Sequence, residues 1–289
     1  MTTTRTPTAT IGAGASLRQA HGADSRGTGA NFFTATGQTA RRTSLQFLRT
    51  PLLLVMPAIM GVLFLFIFRY IFGGAIATGS GVDYVDFLVP GFLVAGILWT
   101  AMNAPAGVAE DATSGVHDRL RSLPIPRAAA MTGRSLADTG LTTWALVVTT
   151  ALGFAVGFRT HAAAGDVILA FALILVAAYA FSWVFVSLGL VAGNAQAAQG
   201  MSTLLVVPLT FVSSAYVPIA SMPSWMEPVA SNQPLTVIIN AVRSLMLGGT
   251  KAAGVGHTTT YWVLLSLVWC AGIAVVFSAL AVARFSRTR

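Results

Sequence analysis

Long apolar runs separated by short polar segments constrain this chain more than any other feature of its sequence. The runs fall at about 52–72, 84–108, 135–158, 167–191, 201–216 and 261–283. An α-helix rises 1.5 Å per residue, so roughly twenty residues cross a hydrocarbon layer about 30 Å thick. Hydrocarbon offers no water to backbone N–H and C=O groups, and a helix satisfies them within itself. The 289 residues are 55% hydrophobic and only 9% charged, whereas a soluble domain is about one-quarter charged. The chain is therefore read as an all-α polytopic membrane protein with six transmembrane helices.

The segments between the runs give the orientation. Residues 1–30 contain no Phe, Tyr or Trp and are rich in Thr, Ala and Gly, with no apolar stretch of signal-peptide length. They read as a disordered cytoplasmic tail ahead of a membrane domain spanning 31–289. Just after it, Phe33, Thr36, Ala40, Ser44 and Phe47 share one helical face while Arg41, Arg42 and Arg49 lie away from it. That pattern fits a helix lying at the membrane interface with arginines toward lipid headgroups, or an ordinary lead-in to the first span. Of the 17 basic residues, six precede the first run, four lie at 119–134 and three end the chain. The remaining four are Arg69, Arg159, Arg243 and Lys251. Cytoplasmic loops are enriched in Lys and Arg, so both termini are placed inside the plasma membrane. The net charge of +8 is thereby accounted for by topology rather than by nucleic-acid binding.

The second and third runs are joined by a polar stretch at 110–127 that holds Glu110, Asp111, Asp118, Arg119, Arg121 and Arg127. On a helix, Val108, Ala112, Val116 and Leu120 recur every fourth residue with Leu123 beside them, and Glu110, His117 and Arg121 fall opposite. Pro124 and Pro126 end such a helix. An apolar ridge flanked by charge suits docking to a partner; it also suits a plain charged connector.

Prolines 218, 223, 228 and 234 break the stretch 217–260, while 235–247 is apolar but too short to cross. It reads as one or two re-entrant half-helices dipping in from the outer side. Arg243 lies in that apolar segment, where a guanidinium needs an acid or backbone carbonyls; Glu227 is a candidate partner. Asp138, about one turn into the third run, is either paired or snorkelling, or else a substrate or proton site. Trp99 and Asn103 on the second run face either a translocation path or neighbouring helices. The four His residues have no metal-ligand spacing, and Cys270 is the sole cysteine, so neither a disulfide nor a Cys-based metal centre is expected.

Taken in order, Phe72-Gly73, Tyr84, Phe87-Leu88 and Pro90-Gly91 precede Glu110, Gly115, Arg119-Leu120, Leu123-Pro124 and Gly133-Arg134. Later come Tyr216 and Pro218, Met222 to Trp225, Asn232 to Pro234, and Arg243. In this order between these spans, the chain resembles ABC-2 type permeases, more narrowly the daunorubicin-resistance-type permeases of actinobacteria. The resemblance implies the membrane subunit of an ATP-driven exporter of hydrophobic drugs, antibiotics or lipid-like cargo. It implies a dimer with a second permease copy or a similar permease, bound to two separate ATPase subunits that carry ATP and Mg. Glu110, Gly115, Val116, Arg119, Leu120, Leu123 and Pro124 would then form the ATPase-coupling element. Phe33, Arg41, Arg42 and Phe47 would mark the interfacial helix. No Gly-x-x-x-x-Gly-Lys-Ser/Thr phosphate loop is present, and the only lysine is Lys251, so no ATPase site or cofactor is expected on this chain. The alternatives are a polysaccharide or glycolipid cargo, or an ion-driven carrier without an ATPase.

Overall fold

The computed structural model describes residues 32–73, 83–102, 104–113 and 127–287. Helices dominate, and no strand occurs among the described residues. In chain order they are α1 (Phe32–Arg49), α2 (Pro51–Phe66), α3 (Tyr84–Ala101), α4 (Ala104–Thr113), α5 (Arg127–Ala155) and α6 (Ala164–Val191). There follow α7 (Ala195–Phe211), α8 (Glu227–Asn232), α9 (Pro234–Met246), α10 (Thr250–Ala253) and α11 (Thr259–Arg287). Beyond Phe66, α2 continues as a π-helix over Ile67–Phe72. Pro51 opens α2, where its missing N–H costs nothing.

Among the described residues, three stretches are long and apolar enough to cross a membrane: Tyr84–Ala109, which takes in α3 and part of α4, then Ala164–Val191 and Thr259–Arg284. Their burial differs sharply and sets the architecture. In the most apolar part of each, 83% of the first, 56% of the second and 11% of the third is buried within the protein. A helix apolar on all sides belongs in a core, and α3 is that central helix. It packs against α5, α6, α9 and α7, while α11 lies outside on α6 and α9. α11 turns Leu264, Val268, Val275 and Val276 outward, as a lipid-facing helix would. α1 runs along α5, with Gly133 of α5 at their closest approach. A Cβ at Gly133 would sit 2.6 Å from the Thr36 carbonyl oxygen, so only glycine allows that contact.

Several expected boundaries move. The second run is not one unbroken described helix: α3 ends at Ala101, α4 starts at Ala104, and position 103 lies outside the described residues. The third helix begins at Arg127 rather than 135, and ends at Ala155 rather than 158. α5 looks polar in composition because of its threonines. The Thr139, Thr142, Thr143 and Thr150 hydroxyls each donate to the carbonyl four residues back, which conceals them within the helix. The fifth helix starts at Ala195, not 201, because the Asn194 side chain caps it by accepting from the Ala197 N–H at 2.8 Å. It also ends at Phe211, five residues before the expected 216. Between 217 and 260 lie the short helices α8 and α9, joined at Gln233, and then α10.

Candidate functional site

The early end of α7 leaves residues 212–217 as a non-helical turn pressed against the central helix. Backbone that leaves a helix in an apolar interior needs other partners for its polar groups. Side chains supply several of them. The Ser214 N–H donates to the Thr236 hydroxyl at 3.3 Å, and the Ala215 N–H to the Ser213 hydroxyl at 3.1 Å. The Tyr84 hydroxyl donates to the Tyr216 carbonyl at 2.9 Å. Gly91 of α3 lets this turn approach so closely that a Cβ there would overlap the Ala215 carbonyl.

Arg243 completes the set. It is 1% exposed, and its Nη2 donates to the Ser214 carbonyl at 2.9 Å and to the Phe87 carbonyl at 3.0 Å. Its Nε also donates to the Phe87 carbonyl, at 3.2 Å, and its guanidinium carbon lies 3.8 Å from the centre of the Phe87 ring. Glu227 is not its partner: that residue is exposed on α8, and the guanidinium turns inward to carbonyls of two elements. Arg243 thus joins α9, α3 and the turn in one place.

Tyr216, 2% exposed, is the side chain this turn carries into the bundle. Its hydroxyl accepts from Trp99 Nε1 at 3.1 Å. Its ring stacks on Phe68 of the π-helical segment at 4.8 Å between centres and 15° between planes. Phe92 and Phe211 complete the surround, with centres 6.2 and 5.3 Å away.

Next to this aromatic cluster, α2, α3 and α5 enclose a cavity of about 330 Å³. Met56, Met60, Phe64, Trp99, Thr142 and Thr149 are among its lining, and no charged side chain is. Met56 and Met60 are 44% and 49% exposed, so the cavity opens sideways past α2. The volume lies within the range of small-molecule sites, and methionine adapts to ligands of differing shape.

Beyond the cavity wall, one turn from Thr142, lies a charged pair. Thr142 donates to the Asp138 carbonyl one turn away, and the Asp138 carboxylate is 4% exposed. Arg134 Nε lies 3.5 Å from Asp138 Oδ1, while Arg134 Nη2 donates to the Ala104 carbonyl at 3.3 Å. The pair therefore ties α5 to the first residue of α4. Asp138 Oδ2 has no hydrogen-bond partner among the described residues. Beside it, the Ser135 and Ser182 hydroxyls bond one another and link α5 to α6.

Of the residues singled out from sequence, Trp99 lines the cavity and Asp138 lies just beyond it, paired. Glu110 lies in α4, which packs on α6 and α7. Asn103, Gly115, Val116, Arg119, Leu120, Leu123 and Pro124 lie outside the described residues. Phe33 and Arg41 are exposed on α1, and Arg42 and Phe47 lie on the same helix. Sequence reasoning missed Tyr216 as a packing centre and Arg134 as the partner of Asp138. The second was legible: four residues apart on a helix puts opposite charges side by side.

Among the described residues, the apolar helices enclose a cavity with no charged side chain in its lining, and no group of His, Cys, Asp and Glu is placed to hold a metal ion. Residues 34–247 match the ABC-2 type transporter family, and the chain belongs to that family. It is 31% identical over 266 residues to a daunorubicin resistance ABC transporter permease protein, DrrB1, of Streptomyces coeruleorubidus, covering 91% of this chain and 90% of the relative. It is also 23% identical over 222 residues to a probable doxorubicin resistance ABC transporter permease protein, DrrC, of Mycobacterium tuberculosis, covering 75% and 76% of the two chains. The chain is thus an ABC-2 permease, homologous to drug-resistance permease subunits and consistent with the membrane part of an exporter.

Proposed function

We propose that the cavity between α2, α3 and α5 is where this permease holds an apolar, drug-like cargo during ATP-driven export from the cytoplasm or inner leaflet. The observation that carries this reading is the lining: aromatic rings, thioethers and threonines without one charge, open sideways where a membrane-dissolved molecule would enter. A polysaccharide would need a lining rich in hydrogen-bonding groups, and the Trp99 N–H and Thr142 O–H are already used within the protein.

On this reading the chain spans the plasma membrane six times with both termini inside, using α2, α3 with α4, α5, α6, α7 and α11. α8 and α9 form the outer re-entrant pair, and α1 lies at the cytoplasmic interface. A second permease and two ATPase subunits complete the exporter, with ATP and Mg on the ATPase subunits. The coupling element runs from Glu110 toward Val116 and Leu120. A route from there to the cavity is supported by contacts: α4 is held to α5 through the Ala104 carbonyl and Arg134, and Asp138 is hydrogen-bonded through its carbonyl to Thr142 in the cavity wall.

The test uses Gly96, which lines the cavity and where an added Cβ meets nothing within 4 Å. Gly96→Trp should fill the cavity. With the ATPase partner in proteoliposomes, ATP-dependent daunorubicin transport should fall at least tenfold while the complex still assembles. Undiminished transport would place the path elsewhere. The coupling element is tested separately by Val116→Asp with Leu120→Asp, which sets carboxylates against an apolar groove. That double variant should insert normally but lose co-purification of the ATPase, and retained binding would make the segment a passive connector.

A further inference from the structure

We propose that Tyr216 is the outward gate of this cavity, and that its hydrogen bond with Trp99 ties closure of the gate to what the cavity holds. The proposal rests on the cavity and topology just proposed. Three features place a gate here. First, the cavity is lined by Phe92 and Trp99, and both also contact Tyr216. On the inferred topology, Tyr216 stands at the outer end, beside Phe68 near the close of α2 and across from Tyr84 at the start of α3.

Second, the carrier of Tyr216 is a turn rather than a helix. Turning a helix residue out of a bundle requires moving or unwinding the helix, whereas a turn moves by changing a few dihedrals. This turn is held by side-chain bonds from Tyr84, Thr236 and Arg243 on two other helices, α3 and α9. It can exchange those bonds without dismantling a helical ladder. The ring that Tyr216 stacks on, Phe68, belongs to the π-helical segment of α2, a departure from α-geometry that recurs at functional sites.

Third, Trp99 belongs to both structures at once. Its ring faces the cavity and its N–H holds the Tyr216 hydroxyl. A molecule stacking on that ring must displace it or fit against it, and either event acts directly on the bond that keeps Tyr216 in place. Cargo binding and gate position are thereby linked through one side chain, with no intermediary.

The experiment needs no knowledge of the cargo. In the permease–ATPase complex in nanodiscs, with Cys270→Ala and the cavity-wall substitution Ala145→Cys, the labelling rate by a membrane-impermeant maleimide is measured. Orientation is assigned with reference complexes carrying a single cysteine at Gly81 or Ser114, and side-specific labelling is repeated in proteoliposomes. With Tyr216 intact, labelling of Cys at position 145 from outside should be slow. Tyr216→Ala should raise it at least tenfold, and Tyr216→Phe, which keeps the stacked ring but loses the acceptor for Trp99, should raise it about threefold. Unchanged rates in Tyr216→Ala would overturn the gate, and an increase confined to the cytoplasmic side would overturn its outward assignment. Equal rates in wild type and Tyr216→Phe would overturn the role of the Trp99 bond. The Phe variant preserves the packing, so it remains informative if the Ala variant fails to fold. Failure of the cavity reading is seen separately: full ATP-dependent daunorubicin transport after quantitative modification of the position-145 cysteine would remove the cavity from the path while leaving the accessibility result standing.

Discussion

The two ends of the cavity both bury polar groups in an apolar bundle, and they do so by opposite means. At the aromatic end, Arg243 is received by carbonyls of Phe87 and Ser214 and by the face of one ring, with no ion-pair partner among the described residues. At the other end, Arg134 and Asp138 are a formal ion pair, yet one carboxylate oxygen has no hydrogen bond among the described residues. Spreading a guanidinium over neutral acceptors ties three chain segments together and leaves no second charge to satisfy. Pairing it with a carboxylate four residues away ties mostly a helix to itself, with one bond reaching across to α4. The first arrangement anchors the closed position of the turn to α3 and α9. The second leaves a junction at which Arg134 reaches from α5 to the Ala104 carbonyl of α4.

The largest effect should come from unbalancing the charged end. Asp138→Ala removes the carboxylate that faces the Arg134 guanidinium, and breaking one side of a buried pair costs roughly 3–5 kcal/mol. Thermal unfolding in detergent, followed by the loss of the monodisperse peak, should show a drop of several degrees or more. Arg134→Met combined with Asp138→Leu should recover most of it, since neither charge remains. If the double variant were as unstable as the single one, the pair would be contributing more than mutual neutralisation.

Arg243→Met should cost less, about 1–3 kcal/mol, because it removes donors from two carbonyls but keeps the volume and strands no charge. A loss greater than that of Asp138→Ala would reverse the comparison and make the carbonyl-held anchor the more costly end to disturb. The smallest effect is expected from Tyr84→Phe, which deletes one donor to the Tyr216 carbonyl and should cost about 1 kcal/mol. The same thermal assay resolves it if run beside wild type. A change as large as that of Arg243→Met would mean that Tyr84, not Arg243, fixes the turn.

The sequence alone determined that the chain is helical, because apolar stretches in this composition satisfy their backbone in lipid as helices. It marked Arg243 and Asp138 as exceptional, since charge in an apolar run is rare enough to stand out. It did not identify what receives Arg243. Glu227 was the natural candidate on charge, but every residue carries a carbonyl, and nothing in a sequence says which carbonyl is brought to a given guanidinium. Likewise Tyr216 read as the last residue of a span. Only the tertiary structure ended α7 at Phe211 and turned Tyr216 into the aromatic cluster, through the notch that Gly91 leaves in α3 and through donors arriving from α3 and α9. The cavity has the same origin. Met60, Trp99 and Thr142 are unremarkable on their own helices, and they become a site because helix packing leaves a gap that local periodicity cannot encode.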